Sequence, residues 1–467
     1  MLGHNEYIAW GATNLGPDVQ DLYIEKFNDQ NESQTANGWE PAKKRNEIIK
    51  IRAAGDSSES EVVNLEVLET DDGVVIKDDG AAKIALKWTA LDPKNNEFEA
   101  FYLLNRAKNW DEFKSALKTY GGATQNFVYA DVKGNIGFHN GGLIPIRTSG
   151  DGSVPYDGSS KEGKWNGFIP FEELPQSYNP PEGYIVTANQ RLAGDSYKYF
   201  LGRSYADPYR ARRIQQLIEN NSKMTINDSM DIQRDIFSIS LSNFAREIVA
   251  LDAASKETLT TLKSWDGRTS SDSKAALLVV EIRRAFLKRV LNGTLGEDKA
   301  NNYRWSMQNS FIDWLAREKP AEWLPKSFPD YKSLLKESDL SARESLTKKF
   351  GADEANWIYG KNGKFTFSHP LAVVPFIGSA FAIPSFDIYG GFSTPNVGAA
   401  VSMRHVTSPG DWDSTRHGIT LGQSGDPKSS HFKDQLDNWK IGATPVFPFS
   451  KSAVEKAAKE IISITAK

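Results

Sequence analysis

The residues of this chain best placed to do chemistry lie near its start, in His4–Asp21, which reads HNEYIAWGATNLGPDVQD. Asp18 and Asp21 are spaced so that two carboxylates can face one hard cation, with a carbonyl between them adding a further oxygen. Just before them, Gly11-Ala12-Thr13-Asn14 ends a Tyr-Ile-Ala-Trp strand. A turn at a strand end exposes backbone N–H groups, the kind of donor that stabilises an oxyanion. The same residues also suit a strand followed by a plain polar turn.

Other chemistries have less support. There are no cysteines, which removes disulfides, thiolate metal sites and cysteine nucleophiles. None of the six histidines falls in HxH or HxxxH spacing. No GxSxG elbow backs a Ser-His-Asp triad. The twelve tryptophans and paired acids suggest sugar chemistry, but Asp18 and Asp21 sit too close in sequence to flank a glycosidic bond. A net charge of −4 lacks the basic footprint of a nucleic-acid binder. No apolar run reaches the length of a membrane span, and the N-terminus has no signal-peptide pattern. With 467 residues, 25% charged and 39% hydrophobic, the chain has the makings of a large globular core or several domains.

The elements that must position these residues change character along the chain. Residues 1–145 read mostly as β: Glu61–Glu69 and Val74–Lys77 as strands joined by an Asp71-Asp72-Gly73 hairpin turn, then Ala85–Thr89. A helix from Asn109 to Leu117 puts Trp110, Phe113 and Leu117 on one stripe. Gln125–Asp131 and Ile136–His139 form a hairpin about Lys133-Gly134-Asn135. Residues 146–182 read as a Gly-, Ser- and Pro-rich surface excursion, and Gly183–Ala188 as a strand ending at Asn189. Asp207-Pro208 reads as a helix start, with Asp207 as cap. Residues 208–350 are helical, a packing-driven, solvated insert in which Ala275–Leu291 is apolar on one side and basic on the other. β character returns in Lys364–His369, Leu371–Pro375 and Gly398–Val406. Ala453–Lys467 reads as a surface helix. The resulting division is 1–205, 206–360 and 361–467.

Several stretches carry a family resemblance. GHNEYIAWGATNLGPDVQDLYIE, YADVKGNIGFH, GKWNGFIPF and GQSGDP, the last followed by His431, Asp434-Gln435 and Trp439, resemble the penicillin acylases in the family's own order. These are amide-cleaving N-terminal-nucleophile hydrolases. The resemblance implies an α+β fold, the αββα four-layer sandwich, with strands from both ends of the chain in the same two sheets. It implies hydrolysis of carbon–nitrogen bonds in linear or cyclic amides, with removal of an N-acyl group. Acyl-homoserine-lactone acylase is the alternative substrate class, and antibiotic biosynthesis is a family context.

In that family the matching segment follows a catalytic N-terminal serine by several dozen residues. The expectation is therefore a large subunit without its serine, partnered by a small subunit and a Ser-bearing segment, or a non-catalytic fragment awaiting them. Family members are generally exported, which implies an extracytoplasmic location. The resemblance makes the backbone N–H of Asn14 and the side chain of Asn189 the oxyanion donors, converging where the serine hydroxyl would stand, with Arg210 orienting Asn189. Structural calcium would be held by the carboxylates of Asp18 and Asp21 and the carbonyls of Gln20 and Gly152, with Asp195 as the nearest further acid. Phe101 and Gln125 fall near the acyl pocket. An unpaired glutamine amide against an aromatic ring costs ~1–3 kcal/mol, which argues against strict phenylacetyl specificity.

Overall fold

The structure, a computed structural model, describes residues 2–52, 61–78, 80, 83–303, 308–398 and 401–465. It forms two compact units, one of Met1–Ile185 with Arg191–Tyr205 and one of Val186–Gln190 with Ala206–Lys467.

In the first unit, β-branched and aromatic residues build a five-stranded antiparallel sheet. Its order is Gly3–His4, Ile8–Asn14, Gln125–Asp131, Ile136–Gly141, Gln176–Tyr178. Trp10 pairs with Tyr129 and Ala12 with Phe127, so their side chains share one face. On it pack the helices Glu97–Leu104 and Trp110–Leu117, burying Leu104, Phe113 and Leu117 completely. Each such side chain contributes roughly 1.5–3 kcal/mol. A slip of one residue would turn that face to water, so the register that sets Asn14 opposite Gln125 is firmly specified. The second helix starts as its sequence implies, Asn109 Oδ1 accepting from Glu112 N–H at 3.0 Å. The first was not anticipated, because EFEAFYLL is aromatic enough to pass for a strand.

The second sheet of this unit has six strands, in the order Tyr156–Asp157, Gln20–Glu25, Lys83–Trp88, Gly73–Asp78, Glu61–Thr70, Lys43–Ile51. Only the short Tyr156–Asp157 strand runs parallel to its neighbour. The hairpin at Gly73 requires glycine: its φ is 115°, and a Cβ would lie 2.0 Å from the Leu86 carbonyl oxygen.

The second unit holds most of the helices. Phe244, Ile248, Ile282, Phe286, Val290, Leu315 and Leu334 form its principal core, all fully buried. Ser238, Ser255, Ser273 and Asp330 each cap a helix by accepting a backbone N–H. Two expectations change here. The helix Tyr209–Glu219 begins without a side-chain cap. Asp207, buried, accepts instead from the backbone N–H and Oγ of Ser310, at 2.9 and 2.6 Å. The helix Lys274–Leu295 is not a solvated face but the centre of the bundle, and it buries Arg283 against Asp313 at 3.0 Å.

The C-terminal residues also depart from expectation. Among the described residues their strands pair only with each other: Lys364–Phe365 with Phe386–Asp387, and Met403–Ser408 with Asp411–Ile419. Strands from the two ends of the chain therefore do not share a ladder here. Gly183–Ala188 is not a strand, and Pro370–Val373 is a 3-10 turn, since proline has no N–H for a ladder. Residues 399–400 of the expected Gly398–Val406 strand, and 466–467 of the tail, lie outside the described residues, and the tail helix is confined to Lys451–Ala457.

Candidate active site and cation cluster

In the first unit the six-stranded sheet carries Asp21, whose side chain is fully buried, beside half-buried Asp18. Arg147, itself nearly buried, lies between them. Its Nε donates to Asp21 Oδ2 at 2.8 Å, and an Nη reaches the Asp18 carbonyl at 3.2 Å and carboxylate at 3.5 Å. The Trp165 indole N–H donates to that same Asp21 oxygen. Gly152, at φ 76°, closes the cluster. A Cβ there would come within 2.6 Å of Asp21 Oδ1 and 2.7 Å of Asp18 Oδ2, so the two carboxylates converge on one small space. Burial pushes the Asp18 carboxyl above its ordinary range, against the Gln20 N–H and Arg147 and with help from Asp21 and Asp151.

These residues meet part of the requirement for a calcium ion. Asp21 Oδ1 is buried and accepts no hydrogen bond among the described residues, which leaves an anionic oxygen for a hard cation. Asp195 does not join the cluster's hydrogen bonds among the described residues. Its side chain is 97% exposed and pairs at 2.8 Å with Arg191, four residues back. Gln20 is exposed, its N–H 3.3 Å from Asp18 Oδ1.

Asn14 ends its strand exposed, and Gln125 Nε2 donates to its side-chain oxygen at 2.9 Å. The Gln125 amide is therefore satisfied, and the penalty expected from an unpaired glutamine does not arise. Beneath this pair Asn126 and Asn140, both fully buried, join side chain to side chain at 2.6 Å, and Asn126 also reaches Thr13 Oγ1 at 3.2 Å. Phe101 is a helical residue packed edge-on to Tyr120, with centroids 5.8 Å apart, and tilted against Phe127 at 6.4 Å.

In the second unit Asn189 sits at φ 67°, a left-handed conformation that asparagine adopts more readily than most residues. Gln190 staples the turn around it: its side chain accepts from Ala188 N–H at 2.7 Å and donates to the Val186 carbonyl at 3.0 Å. Arg210, in the first turn of its helix, donates to Asn189 Oδ1 at 2.8 Å. A guanidinium has only donors, so it fixes which end of the amide faces it and turns the NH₂ of Asn189 away from Arg210. Burial lowers the Arg210 pKa, against the nearby Asp207 charge.

The sequence alone missed Arg147, Trp165, Gln190 and the Asn126–Asn140 pair. All but Gln190 act across more than ten residues of chain, and of them only Trp165 lies in a stretch the resemblance marks, GKWNGFIPF.

The penicillin amidase family model matches residues 1–456. The chain belongs to the penicillin amidase family. Among curated relatives it is 28% identical to penicillin acylase 2 proenzyme of Pseudomonas sp. (strain SE83), over 93% of this chain and 58% of that protein. It is 26% identical to the acyl-homoserine lactone acylase QuiP of Pseudomonas putida, over 98% of this chain and 60% of that protein. The penicillin amidase chain thus spans about three-fifths of the length of these relatives. A solved structure of the thermostable penicillin G acylase from Alcaligenes faecalis superposes with a TM-score of 0.77 at 20% identity, covering 100% of this chain and 90% of that one. The fold is accordingly the α+β fold of the N-terminal-nucleophile hydrolases.

Proposed function

We propose that this penicillin amidase chain is the greater part of a hydrolase that removes N-acyl groups from linear or cyclic amides. In this reading a serine hydroxyl from a segment outside these 467 residues attacks the amide carbonyl. The Asn189 NH₂ donates to the oxyanion that forms, the serine's own α-amino group carries the hydroxyl proton to the departing amine, and water then hydrolyses the acyl-serine ester. The observation that carries the proposal is the Arg210–Asn189 hydrogen bond at 2.8 Å. It pre-sets a neutral amide as a donor, and a preorganised donor needs no reorganisation during reaction.

A structural calcium ion would be held by Asp18 and Asp21, with the Gln20 and Gly152 carbonyls as further oxygens. It would neutralise the carboxylate charge that Arg147 leaves uncompensated. An extracytoplasmic location and a small-subunit partner belong to the same proposal.

The second reading, an acyl-homoserine-lactone acylase, is favoured by the QuiP relatives and by the polar Asn14–Gln125 pair. The test is to co-express the chain with the coding segment upstream of Met1 and measure amine release from a panel of acyl amides. Release of amine supports the proposal, and preference for phenylacetyl or long-chain acyl groups decides between the readings. A Ser-bearing assembly that cleaves none of the panel would overturn it.

A further inference from the structure

The C-terminal hairpin places two imidazoles edge to face across its strand pair. His405, on Met403–Ser408, is the register partner of His417, on Asp411–Ile419. Their rings lie with centroids 5.5 Å apart at 68°, and the two Nδ1 atoms are 3.4 Å apart. That separation is long for a nitrogen–nitrogen hydrogen bond, where the heavy atoms usually sit within about 3.2 Å. The same spacing also fits a metal–ligand geometry. Two nitrogens bound at about 2.0–2.1 Å to one tetrahedral ion are held about 3.3–3.4 Å apart.

We propose that His405 and His417 form a cross-strand site for a borderline-soft divalent ion, zinc in the first instance, bound through both Nδ1 atoms with water completing the shell. Imidazole nitrogens suit such an ion, whereas calcium prefers oxygen. Both residues are half-buried.

The surrounding hairpin is built to hold the pair still. Thr407 and Thr415 join through their hydroxyls at 2.8 Å. The His405 carbonyl accepts from Gln233 Nε2 at 3.1 Å, and the His417 N–H donates to the Pro445 carbonyl at 3.1 Å. The His417 ring packs on Phe447 at 5.4 Å. Among the described residues no group of three or more His, Cys, Asp or Glu converges on a metal, so the proposed site is a two-ligand clip. Its effect would be to fasten the hairpin, independently of any amide hydrolysis.

Isothermal titration of the full chain with zinc chloride, in excess calcium, tests this directly. The expected result is one zinc ion per chain at this site, at least tenfold weaker binding in His405→Asn and in His417→Asn, and unchanged binding in His431→Asn. The last control matters because His431 and Asp434, 2.8 Å apart, are an alternative ligand pair. Zinc should also raise the melting temperature of the parent chain and not that of the two hairpin variants. Absence of binding, or equal binding by the parent and both hairpin variants, overturns the proposal. If either variant fails to fold, zinc-soaked crystals of the parent decide the matter. An anomalous peak between the two Nδ1 atoms supports the site, and peaks only elsewhere refute it.

Discussion

Arg210 donates to the side-chain oxygen of Asn189 at 2.8 Å, and in doing so commits the amide nitrogen to the opposite side. The two residues are 21 apart in sequence and belong to the same compact unit. Arg210→Lys keeps the charge but loses the rigid fork that holds one amide orientation. The expected loss in kcat is about tenfold, the worth of roughly one hydrogen bond, with KM little changed. Steady-state kinetics of the complete enzyme check this, and an unaltered kcat would remove Arg210 from the account.

Gln125 and Asn14 are coupled through their side chains at 2.9 Å, which makes Gln125 a support for the strand end. Gln125→Leu should destabilise the fold by about 1 kcal/mol, the usual net contribution of one hydrogen bond. It should also raise the preference for phenylacetyl over long-chain acyl groups. Urea unfolding and the ratio of kcat/KM values measure the two effects separately.

Arg147 compensates buried Asp21, so removing it leaves a stranded carboxylate. Arg147→Ala should cost about 3–5 kcal/mol in denaturant unfolding. Calcium should raise the melting temperature of the parent protein and have little effect on Asp21→Asn. A calcium response that survives Asp21→Asn would place any bound calcium away from this cluster.

Glu25, buried near Asp72 and accepting from Thr70 Oγ1 at 3.0 Å, has its carboxyl pushed up to about 7, first by burial and then by the Asp72 charge. Lys164, paired with Asp72, opposes that rise. The unfolded chain releases this proton at its ordinary, lower pH, so the folded state binds more protons between about 4.5 and 7. Stability from this group is therefore full at low pH and lost as pH rises through 7. Glu25→Gln should flatten that slope and gain on the order of 1–3 kcal/mol over the parent at pH 8. Urea titrations at pH 5 and pH 8 measure it.

What could be read from the sequence was what local pattern encodes. The Gly73 hairpin and the helix start at Asn109 follow from a turn glycine and a side-chain acceptor, each within a few residues. Gly11–Asn14, expected as a turn, instead continues the strand Ile8–Asn14, because it pairs with Gln125–Val128 far along the chain. The convergence of Asp18 and Asp21 followed from their spacing. Arg147, 126 residues from Asp21, could not be found that way, because its role depends on how the sheet and the Gly152 loop fold together. Asp207 shows the opposite failure: a strong local cap signal overruled by a distant partner, Ser310. Asp195, expected as a further calcium acid, lies in solvent paired with Arg191.

The most direct measurement is the effect of Asn189→Ala on turnover of an acyl amide by the complete, Ser-bearing enzyme. The account predicts a fall in kcat of about a hundred- to a thousandfold, the usual cost of one oxyanion donor, with folding intact by circular dichroism. A folded Asn189→Ala enzyme that turns over at the parent rate would contradict it.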